Sequence, residues 1–278
     1  MNLNKTAPLL LFVLSLAHLI ACAPPSSRNS KNQETNSPAS DSNASSQATQ
    51  DNSAGKKGAD SSAHSSEVLG IKTEILELSH VLGLRPDPDF TLQDQLEPLV
   101  QKLLKANPQP PVQDRLELLD GPWHQEYGSL DYRHYKRGFD PRLEIGENYQ
   151  VFSRSGYFYN VSPLGKPPKI RVGLLRGEFK IRNPFADILD VRFTQYQGIN
   201  GFPKNGERIW DLAARAESGT LEAPIHIKPT WIARLFYGGG QFREVYTDSD
   251  MRITFCSHKG SSKREVLYIF NRIKEVKN

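Results

Sequence analysis

The sequence predicts an α+β, mainly β protein: a helical hairpin over residues 67–111, then an antiparallel β domain over 112–278, both behind a long N-terminal segment outside the fold. Three observations predict it. Up to Pro111 the apolar residues recur at three- and four-residue steps; beyond it they alternate in short runs cut by Gly, Pro, Asn and Asp; between Ala23 and Ser66 there is almost no aliphatic or aromatic residue. Spacing reports element type because a helix face repeats about every 3.6 residues and a strand face every second one.

Residues 1–21 read as a signal peptide, with Lys5 ahead of an uncharged apolar run from Leu9 to Leu19 and then Leu19-Ile20-Ala21-Cys22. The run is about eleven residues, whereas a spanning helix needs about twenty, so it is not a permanent membrane anchor. An aliphatic residue three before Cys22 and a small one just before it resemble the lipobox of bacterial lipoproteins, which implies cleavage ahead of Cys22 and lipidation (palmitate or a similar acyl chain) on its sulfur. Two or more acyl chains give stable anchoring, since each buried methylene contributes about 0.8 kcal/mol. A transit peptide is the rival. Such peptides are Arg-rich and acid-poor, but residues 23–66 hold a single arginine, Arg28, beside Glu34, Asp41, Asp51 and Asp60. The expectation is an extracytoplasmic protein held to a membrane through Cys22, and Ala23 in place of Asp favours the outer membrane where a cell has two. Residues 22–66 cannot bury enough apolar surface to order themselves and read as a Ser-rich disordered tether, spanning roughly 35–40 Å r.m.s. as a flexible coil.

In the domain, Val68, Ile71, Ile75, Leu78 and Leu82 form one stripe of a helix from about Glu67 to Leu82, which Gly83 stops. After the Arg85-Pro-Asp-Pro-Asp89 turn, Thr91 and Asp94 resemble a capping box, and Leu92, Leu96, Leu99, Leu103 and Leu104 make a second stripe. Pro98 inside it predicts a kink or a restart. Nine strands follow: 123–128, 149–154, 157–161, 170–182, 189–197, 225–228, 241–247, 251–256 and 266–272, the pattern of a meandering antiparallel barrel or sandwich. Met251, Ile253 and Phe255 share one face of a strand; Val266, Tyr268 and Phe270 share a face of the next. A helix is expected within 207–218, where Ile209, Leu212, Ala213 and Ala216 fall at helical spacing; a lid and a crossover are equally open.

Several of these pieces resemble the plastid lipid-associated proteins, or plant fibrillins, and their bacterial relatives. Ala106-Asn107-Pro108, then Leu118-Leu119-Asp120-Gly121-Pro122-Trp123 with Tyr127, are similar to the family's opening. Val151-Phe152 with Tyr159-Asn160-Val161, Gly177 to Ile181 around Phe179, and Val191-Arg192-Phe193 are similar to its next strands. Val245 to Ile253, carrying Asp248, Asp250 and Arg252, resembles its Tyr-Leu-Asp-x-Asp-Leu-Arg-Ile run, although the Arg-Gly that usually follows is replaced by Thr254-Phe255. The resemblance implies a lipocalin-like β-barrel associated with lipid or holding a small apolar molecule such as a quinone, carotenoid, tocopherol or fatty acid. It transfers no catalytic residue. Gly121-Pro122-Trp123 also resembles the lipocalin Gly-x-Trp, which implies that Trp123 plugs one end of the barrel and that Arg272 lies over it; plain core packing is the alternative for Trp123.

Other constellations carry less. Asp248, Asp250 and Arg252, read as strand residues on one face, are expected to pair with one another structurally rather than to bind a ligand. Tyr157-Phe158-Tyr159 and Tyr132 to Tyr135 alternate faces, with core filling as the default. His80, His124, His134, His226 and His258 show no metal-ligand spacing, and Cys256 reads as a small buried hydrophobe. Gly238-Gly239-Gly240 lacks the Lys-Ser or Lys-Thr of a phosphate cradle, and no Gly-x-Ser-x-Gly elbow occurs. The formal net charge of +4 is too mild, with no basic stripe, to indicate nucleic acid. The expectation is therefore a non-enzymatic lipoprotein with no cofactor beyond a bound lipid, quinone or carotenoid. The alternative is an envelope interaction module with a filled barrel. An apolar pocket of roughly 300–1,000 Å³ favours the first, a packed interior the second.

Overall fold

The computed structural model describes residues 57–84, 87, 89–128, 147–164, 171–200, 208–223, 225–227, 240–258 and 264–274. The signal segment, Cys22, the tether up to residue 56 and the aromatic run Tyr132 to Tyr135 lie outside the described residues.

Helix α1 spans Lys57–Leu82 and α2 spans Gln93–Ala106. The first begins inside the stretch expected to be tether. Adding a residue to an existing helix is far easier than nucleating one, so the helix continues ahead of its apolar stripe. Gly83, at φ +62°, ends it. The capping box at Thr91 is a misreading. Asp87 caps α2 from outside, accepting the backbone N–H groups of Leu92 (3.1 Å) and Gln93 (2.9 Å), while the Thr91 hydroxyl only donates to Asp87. Nor does the chain restart at Pro98. Helix α2 runs through it, and Pro98 and Asp94 are exposed, so water can take up the carbonyl that the proline leaves without a donor.

A 3₁₀ turn (Val112–Arg115) and the short helix α3 (Leu116–Leu119) lead into the sheet. Its strands are β1 (Gly121–Gly128), β2 (Tyr149–Ser153), β3 (Tyr157–Leu164), β4 (Arg171–Asn183), β5 (Ile188–Asn200), β6 (Ile225–Ile227), β7 (Gly240–Thr247), β8 (Met251–His258) and β9 (Val266–Arg272). All nine fall where alternation places them, within a few residues at their ends. Eight close into an antiparallel ring in the order β1-β2-β3-β4-β5-β7-β8-β9 and back to β1. Long β5 makes closure possible: its first residues pair with β7, and Tyr196 to Gly198 pair with β6, which sits outside the ring.

One end of the ring gathers the start of β1, the β2–β3 turn, the β4–β5 turn at Pro184–Ala186, the β7–β8 turn at 248–250 and the end of β9. We call it the Trp123 end. The pleat gives every strand an inner and an outer face, and here both are apolar. The inner cluster includes Trp123, Phe152, Phe158, Leu175, Val191, Phe193, Phe242, Cys256 and Phe270. Outside, Tyr127, Tyr246, Met251, Ile253, Phe255, Leu267 and Ile269 pack against Ile71, Ile75, Leu96, Val100 and Leu103 of the helical hairpin. Helix α4 (Asp211–Glu217) is no lid: it lies on the outer face of β2, β3 and β4, with Leu212 and Ala213 against Tyr149, Tyr159, Val161 and Val172.

Candidate functional site

Two inner layers of the ring differ in chemistry. Near the Trp123 end the layer is aromatic. Phe158 meets Phe152, Phe193 and Phe242 at centroid distances of 5.5 to 5.7 Å. Gly177 makes room for it, since a Cβ there would stand 2.2 Å from the Phe158 ring.

The middle layer is polar. Arg252 and Glu244, both wholly buried, form a two-point ion pair at 2.9 and 2.6 Å. Arg252 also donates to Gln150, whose amide donates to Asn160 Oδ1 at 2.9 Å. Its guanidinium is sandwiched between the rings of Phe152 (4.5 Å) and Phe270 (4.7 Å). Asn148 links Gln125 to Ser162 alongside. Between these groups is a cavity of about 10 Å³, lined by Gln125, Asn148, Gln150, Asn160, Thr254 and Tyr268. That is room for about one water. The fully buried Asn160 Nδ2 has no hydrogen-bond partner among the described residues. Burial pushes the Tyr268 hydroxyl up to about 12, so it stays protonated.

The Trp123 end is covered by the segment before β1. Trp123 is fully buried and donates from Nε1 to Leu119 O at 2.8 Å, with the Arg272 guanidinium 3.8 Å from its ring centroid. Arg272 donates in turn to the carbonyls of Leu118 and Asp120. Gly121 has φ +101°, and a Cβ on it would stand 3.1 Å from the Arg272 guanidinium, so a side chain there would be strained and would push the guanidinium aside. The segment is held from its other side by Arg115. This buried residue donates to Asp187 (3.0 Å), Pro110 O and Glu244 O, and Asp187 also accepts the Val112 N–H at 2.7 Å.

Between this cover and the ring is a pocket of about 350 Å³. Leu116, Leu119, Phe152, Phe179 and Ile181 form its wall; Glu117, Asp120, Arg154 and Lys180 lie at its edge. Arg154 pairs with Asp120 at 2.9 Å.

Asp248, Asp250 and Arg252 do not form one group. Residues 248–250 make the β7–β8 turn, so strand alternation stops there. Asp248 Oδ1 accepts the N–H groups of Asp250 and Met251, both at 2.8 Å, and its Oδ2 accepts from Lys72 and Tyr246 at 2.7 Å. Asp250 pairs with Lys72 (3.6 Å) and Lys274 (3.1 Å). Burial pushes the Asp248 carboxyl up, but the bonds from Lys72, the backbone and Tyr246 outweigh it and hold its pKa below the usual carboxylate range. Arg252, on the opposite face, points into the ring. Of the other motif residues, Phe179 lines the pocket, Asn160 joins the polar layer, and Tyr127 faces outward, its hydroxyl donating to Asp87 at 3.3 Å. Sequence reasoning missed Glu244, Arg115 and Asp187. Glu244 had a signal: it shares an alternating face with Phe242, and Arg252 shares one with Cys256 on the adjoining strand.

Among the described residues no three His, Cys, Asp or Glu side chains converge as a metal site, and no helix is long and apolar enough to cross a membrane. The arrangement defines a class: a closed antiparallel ring, covered by a helical hairpin and plugged at one end, with an apolar pocket behind the plug. A family model described as PAP_fibrillin matches residues 74–261, more than half of the chain, and the chain belongs to that family of lipid-associated, generally non-catalytic proteins. No curated protein and no solved structure matches it.

Proposed function

We propose that this protein is a membrane-anchored, non-catalytic lipoprotein that takes up a lipid or another small apolar molecule on a lipocalin-like scaffold. The observation that carries the reading is the 350 Å³ pocket with its apolar wall, a size within the usual range for small-molecule sites. The wall suits an acyl or isoprenoid chain, and the charged edge suits its polar head. Trp123 and Arg272 serve as the closure of the ring at that end, and lipid on Cys22 supplies localisation.

Titration of the full chain with an anilinonaphthalene probe, together with solvent extraction and mass spectrometry of protein purified from membranes, tests the ligand. Ile181→Ser, which cuts into the wall, should weaken the probe about tenfold, in line with the loss of a mostly buried aliphatic side chain. A chain that comes out empty and never lights the probe rules this reading out. Cys22→Ser should move the protein from the membrane to the soluble fraction and leave the titration unchanged; joint loss would mean that anchor and pocket act together.

A second reading, an envelope interaction module, is favoured by one observation: the cavity within the polar layer measures only about 10 Å³. It predicts the empty, probe-silent outcome, so the same assay separates the two.

A further inference from the structure

Strand β4 outruns its neighbour. β3 starts at Tyr157, which faces Glu178, so residues 179–183 of β4 have β5 on one side and no strand on the other among the described residues. Phe179 still gives its N–H to Gly156 O in the β2–β3 turn, at 3.0 Å. Gly156 does not reciprocate: its own N–H goes to Ser153 O at 3.1 Å, which leaves Phe179 O open. Alternate residues of an antiparallel strand turn their N–H and C=O to the same edge. Ile181 therefore points both towards the side where β3 has ended, and neither has a partner among the described residues.

The 350 Å³ pocket adjoins this open edge. Phe179 and Ile181 belong to its wall, together with Leu116 and Leu119 of α3. Lys180 and Arg182, on the other face of the strand, are exposed. Arg182 lies 3.9 Å from Asp190, and among the described residues no carboxylate pairs with Lys180. Past Asn183 the edge leads to Phe185, 90 % exposed.

A strand laid antiparallel along this edge, as β3 is along the rest of β4, meets three kinds of group. Its backbone meets Ile181 N–H and C=O. Directly opposed residues put their side chains on the same face, so those opposite Phe179 and Ile181 turn into the pocket and those opposite Lys180 and Arg182 stand outside beside two cations. A second copy of this chain is a poor occupant: two such edges centred on Ile181 bring Lys180 of each copy opposite Arg182 of the other, and like charges directly opposed are destabilising. Residues 23–66 of this chain are no better, since they hold almost no aliphatic or aromatic side chain to fill the pocket.

We propose that the 179–183 edge is a strand-addition site for an extended segment of a protein partner in which apolar residues alternate with acidic ones. Main-chain bonds to Ile181 hold the segment, its apolar side chains fill the pocket, and its carboxylates meet Lys180 and Arg182. The site uses the same wall as the small-molecule reading and does not rest on it; the two occupants exclude each other.

Calorimetric titration of the full chain with the blocked peptide acetyl-Val-Glu-Leu-Glu-Leu-amide tests this, with amide exchange at Ile181 reporting the place. Saturating peptide should slow that exchange at least tenfold. Methylating the backbone nitrogen of the central Leu keeps every side chain and removes one donor, and should weaken binding about tenfold, as should replacing both Glu by Lys. The double variant Lys180→Glu with Arg182→Glu should prefer the Lys peptide to the Glu peptide, a gain that a damaged fold would not show. No binding at millimolar peptide, an affinity indifferent to both methylation and charge, or binding that leaves Ile181 exchange unchanged overturns the proposal. So does slow Ile181 exchange in a self-associated chain without peptide, which assigns the edge to a second copy. The anilinonaphthalene titration keeps the two readings apart. A chain that binds the peptide and never lights the probe leaves strand addition standing alone; one that lights the probe and fails the peptide test leaves only the small-molecule site.

Discussion

The ring has an ion pair on each side of its wall, and the two are opposites in what they ask of the protein. Inside, Arg252 and Glu244 are wholly buried, sandwiched by Phe152 and Phe270 and joined to Gln150. Outside, Lys72 and Asp248 keep 11 % and 27 % of their side chains exposed and clamp α1 to the β7–β8 turn. The inner pair lost its hydration on folding and depends wholly on protein partners; the outer pair still touches water. Similar side chains therefore specify the interior in one place and fasten a cover in the other.

The largest effect expected is from breaking the inner pair on one side only. Arg252→Met should lower the unfolding free energy by about 3–5 kcal/mol, because Glu244 is left buried and uncompensated. The double variant Arg252→Met with Glu244→Leu should recover much of that loss, and urea melts of both variants check it. A double variant as unstable as the single one would show that the pair contributes more than its partners' compensation. Lys72→Met should cost about 1 kcal/mol, the upper range for a partly exposed pair, and should raise amide exchange in α1 before the ring loosens.

Acid should act on the outer pair in the same way. The folded Asp248 carboxyl lies below its ordinary value, so its contribution is fully present above about pH 4 and is lost as pH falls through the depressed value. Below about pH 4 the native chain and Lys72→Met should thus converge in stability. The smallest effect concerns His124. Its hydrogen bond to Glu126, at 2.9 Å, raises its pKa despite partial burial. That contribution is fully present below about pH 6.5 and is lost as pH rises through the raised value. His124→Gln should lower the melting temperature more at pH 5.5 than at pH 8.5, by about half a kcal/mol or less in free energy.

Much of this architecture is legible in the residues because strand alternation is local. Met251, Ile253 and Phe255 do share a face, and the helical stripes of Ile71, Ile75, Leu96 and Leu103 do meet. What alternation cannot say is which face is inside. An apolar face usually marks an interior, yet Met251, Ile253 and Phe255 look outward onto the helices, and the mixed face of Arg252, Thr254 and Cys256 looks inward. The turn at 248–250 misled for the same reason: two-residue spacing matters only while the chain is extended. Asp87 as a helix cap, and Asp187 as the acceptor for Val112 and Arg115, are unreadable at short range because their partners arrive from elsewhere in the fold. The pocket is a gap between α3 and β4, and no single segment encodes it.

Ring closure through β1 and β9 sets the order in which this protein can be made. Trp123 faces Arg272 across that seam, nearly the whole domain apart in sequence. Until Val266–Arg272 is available, β1 and β8 each present a bare row of backbone donors and acceptors, a template for pairing with another chain. Such long-range pairing is slow. The seam therefore makes folding an event of the finished chain, and a nascent or truncated form ending before Val266 should be the species that aggregates.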